Sequence, residues 1–230
     1  MQQLVKLSPD LRAVSALRGA FDDARVKGLV EASGSIKWRI SQLIAVQLVK
    51  LGIADDAAYF DHLVRYAREA MAAAPPNHMF RRDENGVENK DRGLDPAFAN
   101  WCAKRGLGPG ACLHATSEYA MDINLLVSTH DRRTIPVFRE VLKTTSKTMM
   151  TMAIYGLADL DDIDSIPLVA EACSRLPPED AKSLGLSATA FRHPSAQILF
   201  DVCISNPEIR AQTKKEWLEK QAGPSASPNK

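Results

Sequence analysis

Three polar residues on one predicted helix have the spacing needed to act on a common ligand. His114, Glu118 and Asp122 recur at every fourth position, so an imidazole and two carboxylates share one helical face. Such groups could bind a divalent metal ion or exchange protons with a substrate. The chain has no His-Glu-x-x-His motif, and a further ligand would have to come from elsewhere, for instance His78 or His130. The sequence therefore favours a solvated helix face and predicts neither a metal nor a cofactor.

A second candidate lies in the irregular stretch 75–94, which is rich in charge and contains two prolines. Cations beside an apolar pair could bind a phosphate or a nucleic-acid backbone. Acidic residues alternate with these cations, which favours a self-neutralising loop. A connection this long inside a helical array is uncommon and is often functional. We predict that the insertion at about 75–110, of which this stretch is the first part, contacts a partner through six residues: His78, Met79, Phe80, Arg81, Arg82 and Trp101.

The other polar motifs do not identify a catalytic centre. The acidic run Asp159–Asp164 lacks the twelve-residue loop, central Gly and terminal Glu of a calcium site, so we interpret it as turn and cap residues. The segment Gly106–Gly110 follows no predicted strand and has no Lys-Ser/Thr, which indicates a helix break. The catalytic residues stay unknown, and a non-enzymatic role is favoured.

The four cysteines include no Cys-x-x-Cys motif, which argues against a zinc knuckle or a redox pair. Cys173 and Cys203 lie on apolar helical stripes, where we expect them to be small core residues. Cys102 and Cys112 flank a Gly-rich turn and could form a disulfide in an oxidising compartment. Whether they are bonded stays open at this point.

The overall composition indicates a helical protein. Hydrophobic residues make up 45% of 230 residues, aromatic residues only 6%, and the formal net charge is +1 with both signs interspersed. Charge alone therefore implies no nucleic-acid or membrane partner. No apolar run approaches the ~20 residues that span a bilayer, and the first residues given do not show the apolar core and cleavage site typical of a signal peptide. We expect a cytoplasmic protein, or an exported one if a leader has been removed.

Helical periodicity predicts a series of helices, which the C-terminal half repeats at a regular interval. Ile135-Pro136 recurs as Ile166-Pro167 after a period of about 31 residues, which lies in the range typical of helical repeats. Each pair follows shortly after an Asp-containing turn, and Ile198 follows after nearly the same interval. Second helices are predicted at 147–160 and 179–191 between these starts. In the N-terminal half, the apolar stripe from Ile36 to Leu51 predicts one continuous helix.

The stretch from Thr148 to Asp162, followed by Ser165 to Ala172, resembles the second helix, Asp-rich turn and Ile-Pro start of the HEAT-repeat family. The resemblance is strongest over 131–204 and weaker over 10–74. It implies an all-α fold, an α-solenoid in which antiparallel helix pairs stack into a HEAT-like superhelix. We expect one solenoid domain at 1–221, interrupted by an insertion at about 75–110, and a disordered tail at 222–230.

The resemblance implies a binding function and supplies no catalytic residues. We expect a non-enzymatic protein-binding or scaffold module, whose concave face and insertion grip another protein or a peptide. The alternative is a HEAT-like nucleic-acid binder or a DNA glycosylase-type enzyme. That alternative needs a basic concave surface with an aromatic side chain, for which Trp38 beside Lys37 and Arg39 is the only candidate.

Overall fold

The computed structural model describes residues 11–27, 30–33, 36–53, 55–76, 78–84 and 87–222. Within these ranges it describes the backbone alone at residues 11, 26, 30–33, 36–38, 109–111 and 113–119. The described helices are α1 Leu11–Lys27, α2 Ile40–Lys50, α3 Ala57–Ala73, α4 Pro96–Ala103, α5 Pro109–Thr129, α6 Ile135–Val141, α7 Lys147–Asp159, α8 Ile166–Ser174, α9 Pro178–Ser187, α10 Gln197–Cys203 and α11 Pro207–Ala222. The predicted helical class is confirmed. Residues 223–230 of the expected tail lie outside the described residues.

A short β-hairpin includes the start of the segment for which the sequence predicted one continuous helix, Ile36 to Leu51. Strand β1, Val30–Ser33, pairs antiparallel with strand β2, Ile36–Arg39, and Ser33 lies opposite Ile36. Helix α2 therefore begins at Ile40, later than the apolar stripe predicted. The segment Ile36-Lys-Trp-Arg alternates apolar and basic residues, a pattern that fits a strand as well as a helical turn. Pairing with a neighbouring strand decided between them.

A short 3₁₀ turn precedes every other helix in the C-terminal half. These turns are Arg132–Thr134, Ile163–Ser165 and Pro194–Ala196, and helices α6, α8 and α10 follow them at once. The interval from the start of α6 to that of α8 equals the interval from α8 to α10. The predicted starts at Ile135 and Ile166 are confirmed, and the third start is Gln197, immediately before the predicted Ile198.

Helices α6, α8 and α10 are called first helices here, and α5, α7 and α9 second helices. The second helices contact one another in order, α5 with α7 and α7 with α9, while α8 contacts α10. Helix α7 also packs on α6, and α9 packs on α8. The main core lies between these two layers and continues among α1, α2 and α3. Its large side chains, including Phe138, Met150 and Phe200, are fully buried.

Two glycines set the distance between the layers. A Cβ added at Gly156 of α7 would lie 2.5 Å from the Phe138 ring of α6. A Cβ added at Gly185 of α9 would lie 2.8 Å from the Cβ of Cys203 on α10. Contacts this short do not occur between real side chains, so both helix pairs depend on a residue without a side chain.

The C-terminal helix α11 packs on α10 and on Phe191, in the segment after α9, through one aromatic residue. Trp217 is 2% exposed, its indole N–H donates to the Phe191 carbonyl at 2.7 Å, and its ring meets Phe200 edge-on. Ile209 and Leu218 of the same helix are exposed. The buried face of α11 is therefore narrow.

A small second core carries the segment that joins α3 to α5. It contains Phe98, Trp101, Cys102 and Cys112, with Met79, Leu94 and Leu107 packed against it. The segment itself is folded: backbone bridges pair Phe80 with Leu94 and Arg82 with Glu88. We call residues 78–84 and 87–95 the insertion hairpin. Asp95 caps α4 by accepting hydrogen bonds from the amides of Ala97 and Phe98.

Both cysteine pairs are disulfide-bonded. Cys102–Cys112 joins α4 to α5, and Cys173–Cys203 joins α8 to α10. The core position predicted for Cys173 and Cys203 is confirmed, since they are 2% and 1% exposed. Their bond was missed, because only the fold brings residues 30 positions apart together.

Candidate functional site

A buried carboxylate on α9 holds the insertion hairpin against the helix array. Asp180 is 5% exposed and receives Arg82 Nη2 at 3.0 Å on Oδ2 and Lys147 Nζ at 2.9 Å on Oδ1. His78 Nε2 lies 3.4 Å from the same Oδ2, and the His78 ring also contacts Arg82. Two members of the group that the sequence offered to a phosphate, His78 and Arg82, therefore contact a carboxylate of the chain itself. We call these four side chains the Asp180 anchor.

Glu88 joins the two arms of the insertion hairpin to this anchor. Its Oε1 accepts the Met79 amide at 2.7 Å and lies 3.5 Å from His78 Nδ1. Arg81 is exposed and its Nε donates to the Leu94 carbonyl at 3.4 Å, while Phe80 is half-buried. Arg81 is thus the exposed member of the predicted partner-binding set, and Phe80 is half-buried in the same way as His78, Met79 and Arg82.

Trp101 lies in the small core. It is 8% exposed, and its indole N–H donates to the Ala73 carbonyl at 3.1 Å. The Arg105 guanidinium covers the ring at 4.3 Å from its centroid and donates to the same carbonyl. Burial therefore leaves little of this ring for a partner to contact.

The second helices present two rows of uncharged side chains at equivalent positions. Tyr155 on α7 and Leu186 on α9 are 43% and 44% exposed and stand one repeat interval apart. Asn124 on α5 occupies the same position one interval earlier. The second row, Met121, Met152 and Ser183, lies about one helical turn before the first row on each helix. We call the six residues of both rows the second-helix face: Met121, Asn124, Met152, Tyr155, Ser183 and Leu186.

Charged residues border the second-helix face at its ends. Asp159, at the end of α7, lies 2.5 Å from His130 Nδ1. At the start of α9, Glu179 pairs with Lys182 at 2.5 Å, and the Asp180 anchor lies beside them. The six positions themselves carry no charge, in a chain of which 25% is charged. The arrangement can bury apolar surface against a partner without desolvating a charge.

The acidic turn between α7 and α8 serves the helix array. Asp162 is 5% exposed, and both its oxygens accept from Arg139 Nη2, at 2.9 and 3.0 Å. Arg139 Nε donates to Ser165 Oγ at 2.8 Å. The carboxylate of Asp162 therefore ties α6 to the turn that precedes α8, which extends the predicted turn role.

The preceding turn uses the equivalent aspartate. Asp131 accepts the Arg133 amide at 2.9 Å and the Arg133 guanidinium, which also binds both oxygens of Asp56. Burial opposes ionisation of Asp131, but the hydrogen bonds from Arg133 outweigh it and lower the pKa of this carboxyl. The guanidinium of Arg133 covers the Phe60 ring at 4.5 Å. These contacts link α3 to the first repeated turn.

A buried Ser–His pair, which sequence reasoning did not single out, connects α2 and α3. His62 Nε2 lies 3.1 Å from Ser41 Oγ, and both side chains are buried. Arg65 Nη2 lies 3.4 Å from His62 Nδ1. A guanidinium can only donate, so Nδ1 accepts and Nε2–H donates to the serine. The imidazole cannot then remove the Ser41 proton, and the pair is not a nucleophile with its base.

Burial explains the protonation state of His62. Desolvation first, and then the charges of Arg65, Arg25 and Arg39, lower its pKa from 6.5 to about 4. An open groove of about 520 Å³ between α1 and α3 passes beside it, lined by charges of both signs. The ring is neutral at neutral pH and acts as a packed polar residue.

The candidate metal triad is only partly described, because the side chains of His114 and Glu118 lie outside the described residues. Asp122 accepts Gln42 Nε2 at 2.7 Å and lies 3.9 Å from an Arg39 nitrogen. In the described part of the chain, no group of three or more His, Cys, Asp or Glu residues is placed to hold a metal ion. The Trp38 ring, the aromatic candidate for nucleic-acid binding, also lies outside the described side chains.

Comparison with known proteins adds no relative to this geometry: no protein-family model, curated protein or solved structure matches the chain. No described helix has the length and apolar character needed to cross a membrane.

Proposed function

We propose that this chain is a non-enzymatic protein-binding or scaffold module, which binds a protein or peptide partner across the second-helix face. The observation that carries the proposal is the pair of uncharged rows repeated on α5, α7 and α9, of which Tyr155 and Leu186 are exposed and the other four members half-buried. The centres of protein interfaces are depleted in charge and enriched in aromatic residues and Met. Tyr155, Met121 and Met152 fit that composition.

The proposed architecture is a HEAT-like α-solenoid. The constant spacing of the first helices and the ordered contacts of the second helices support it. In such an array each helix pair buries its apolar stripe only against its neighbours. Equivalent positions of successive repeats then form continuous rows, which suits an extended partner segment.

The insertion hairpin is proposed to set specificity at one edge of this face. The Asp180 anchor places it beside the N-terminal ends of α7 and α9, since Lys147 is the first residue of α7 and Asp180 lies in the first turn of α9. His78, Arg82 and Met79 then hold the hairpin in place. Phe80 and Arg81 offer an apolar and a cationic contact to the partner.

Site-specific photo-crosslinking tests the proposed face. A benzophenone side chain introduced at position 155 or 186 should capture one common protein in extracts of the native source. The same probe at Glu171, exposed on α8 in the other layer, is the control and should not capture it. Capture of different proteins from 155 and 186, or the same capture from 171, would refute the assignment.

The identified partner then allows a quantitative test. The double substitution Tyr155→Ala and Leu186→Ala should weaken binding by about tenfold to a hundredfold, as expected for two interface anchors. Leu218→Ala, at an equally exposed apolar residue of α11, should leave the Kd unchanged. Calorimetry or fluorescence anisotropy measures these values.

Salt dependence separates this proposal from the nucleic-acid alternative. Binding through uncharged rows should change by about twofold or less between about 50 and 200 mM salt, because few ions are released. A protein that neutralises 6–10 phosphates loses about 10³–10⁵ in affinity over the same range. Steeply salt-dependent binding of DNA or RNA, unaffected by the Tyr155 and Leu186 substitutions, would favour the alternative.

A further inference from the structure

All four cysteines of the chain lie in two bonded pairs, and none is free. The Cα atoms are 5.7 Å apart in Cys102–Cys112 and 5.2 Å apart in Cys173–Cys203. Both separations fall inside the range of about 4.4–6.8 Å that a disulfide can bridge without moving the backbone. Each bond joins two different helices.

The fold permits only one disulfide connectivity among the four cysteines. Four cysteines allow three connectivities. Cys102 and Cys112 lie in the small core with Phe98 and Trp101, whereas Cys173 and Cys203 lie in the main core between the first helices. Any exchange of partners would require one core to open into the other. The fold therefore selects a single connectivity.

From these observations we propose that the chain acquires its folded state in an oxidising compartment, where both disulfides form and persist as structural crosslinks. A buried free cysteine needs only apolar neighbours, and nothing in that role places a second cysteine opposite the first. Here two cysteines lie opposite each other in both cores, and the two pairs include all four cysteines of the chain. Disulfides persist in secreted, periplasmic or lumenal proteins and are rare where glutathione and thioredoxin keep thiols reduced. The proposal replaces the cytoplasmic expectation and does not depend on the proposed binding function.

The chemistry requires an external oxidant of the disulfide class. A cysteine thiolate attacks an oxidoreductase or small-molecule disulfide to give a mixed disulfide, and the partner cysteine then displaces the carrier sulfur. For each bond, two thiols of the chain lose two electrons and two protons, and one carrier disulfide becomes two carrier thiols. Oxidising compartments supply such carriers.

Burial protects both bonds after folding. The four cysteines are between 0% and 4% exposed. A reductant in solution can reach a sulfur only when the chain opens, so reduction should follow unfolding. This property distinguishes structural crosslinks from an exposed regulatory disulfide, which would be reduced in the native state.

Thiol trapping of the native-source protein tests the proposal. Cells are quenched in acid, and the full-length chain is denatured without reductant and treated with N-ethylmaleimide. Its intact mass is then measured by mass spectrometry. We expect no adduct and a mass lower than that of the reduced chain by four hydrogen atoms. Peptides from an unreduced digest should be linked as 102–112 and 173–203. Alkylation of either pair in most molecules would overturn the proposal for that pair.

A second measurement uses the wild-type chain and so does not depend on the folding of a variant. The purified protein is melted before and after complete reduction, with the free thiols counted. Reduction should lower the Tm by several degrees, and native protein in reductant should keep its bonds far longer than denatured protein. An unchanged Tm after verified reduction would overturn the structural role. Recovery of the native-source protein in the cytosol with four free thiols would overturn the compartment assignment.

Discussion

His62 is a polar residue that the fold requires to be uncharged. Its pKa is lowered to about 4 when folded, whereas the unfolded chain binds the proton near pH 6.5. Above pH 6.5 both states are neutral and stability is unaffected. As the pH falls from 6.5 towards 4, the unfolded state alone gains the proton, so the folded state loses stability. The loss is at most about 3 kcal/mol over this window.

Replacing His62 tests this linkage. His62→Gln keeps a hydrogen-bonding side chain toward Ser41 and removes the titration. Urea unfolding between pH 7 and pH 4.5 should show a flatter pH dependence in this variant than in the parent. Identical slopes for His62→Gln and the parent would contradict the burial of a neutral imidazole.

Gly156 and Gly185 reverse the usual effect of Gly→Ala in a helix. Alanine normally stabilises a helix interior by about 1 kcal/mol relative to glycine. At Gly156 the new Cβ would press on the Phe138 ring, which is 0% exposed and would have to shift within the packed core. Overpacking of this kind costs about 1–3 kcal/mol.

We therefore expect Gly156→Ala to lower the free energy of unfolding by about 1–2 kcal/mol in chemical denaturation. Gly19 is the matched control, since it lies in α1 with nothing within 4 Å of an added Cβ. Gly19→Ala should leave stability unchanged or raise it. Stabilisation by both substitutions would show that α6 and α7 pack less closely than described.

The Asp180 anchor holds the insertion hairpin against α7 and α9. Asp180 is buried and faces two cations and an imidazole, so neutralising it leaves Arg82 and Lys147 without their carboxylate. Breaking a buried pair typically costs about 3–5 kcal/mol. Both cations are partly exposed and can regain water, so we expect about 2 kcal/mol here.

Limited trypsin digestion measures whether the anchor holds the hairpin. Asp180→Asn should speed cleavage after Arg81, Arg82, Lys90 and Arg92 while the rest of the chain stays resistant. Asp201→Asn removes an exposed carboxylate that pairs with Lys214 at 2.7 Å and should not change the cleavage rate. Parent-like cleavage of Asp180→Asn would mean that the small core alone positions the hairpin.

Across the whole molecule, the joint formed by α7 couples the two ends of the array. Leu157 is 0% exposed on α7, which contacts α5, α6 and α9. Leu157→Asp would bury a charge without a partner and should cost several kcal/mol. Thermal melting should show a large fall in Tm. Leu218→Asp, on the exposed side of α11, should change the Tm little, and equal effects of both would contradict the placement of Leu157.

The sequence predicted the elements best where local signals agreed. Asp131, Thr134 and Ile135-Pro136 define a capped turn and a helix start within a short segment, and the same signals recur one interval later at Asp162. The candidate site was predicted less well. His78 and Arg82 were placed in the predicted contact set, but the carboxylate that they contact, Asp180, lies far away in the chain and carried no signal of its own.

The sequence by itself determined the helical class, the repeat interval and the position of the irregular segment, because capping, periodicity and proline placement act over a few residues. Tertiary structure decided whether Ile36–Arg39 became a strand, which thiols met and which cations were neutralised. It also brought Tyr155 and Leu186 onto one face. These outcomes depend on pairs of residues distant in the chain, and the free energy of such a contact exists only once the helices between them have packed.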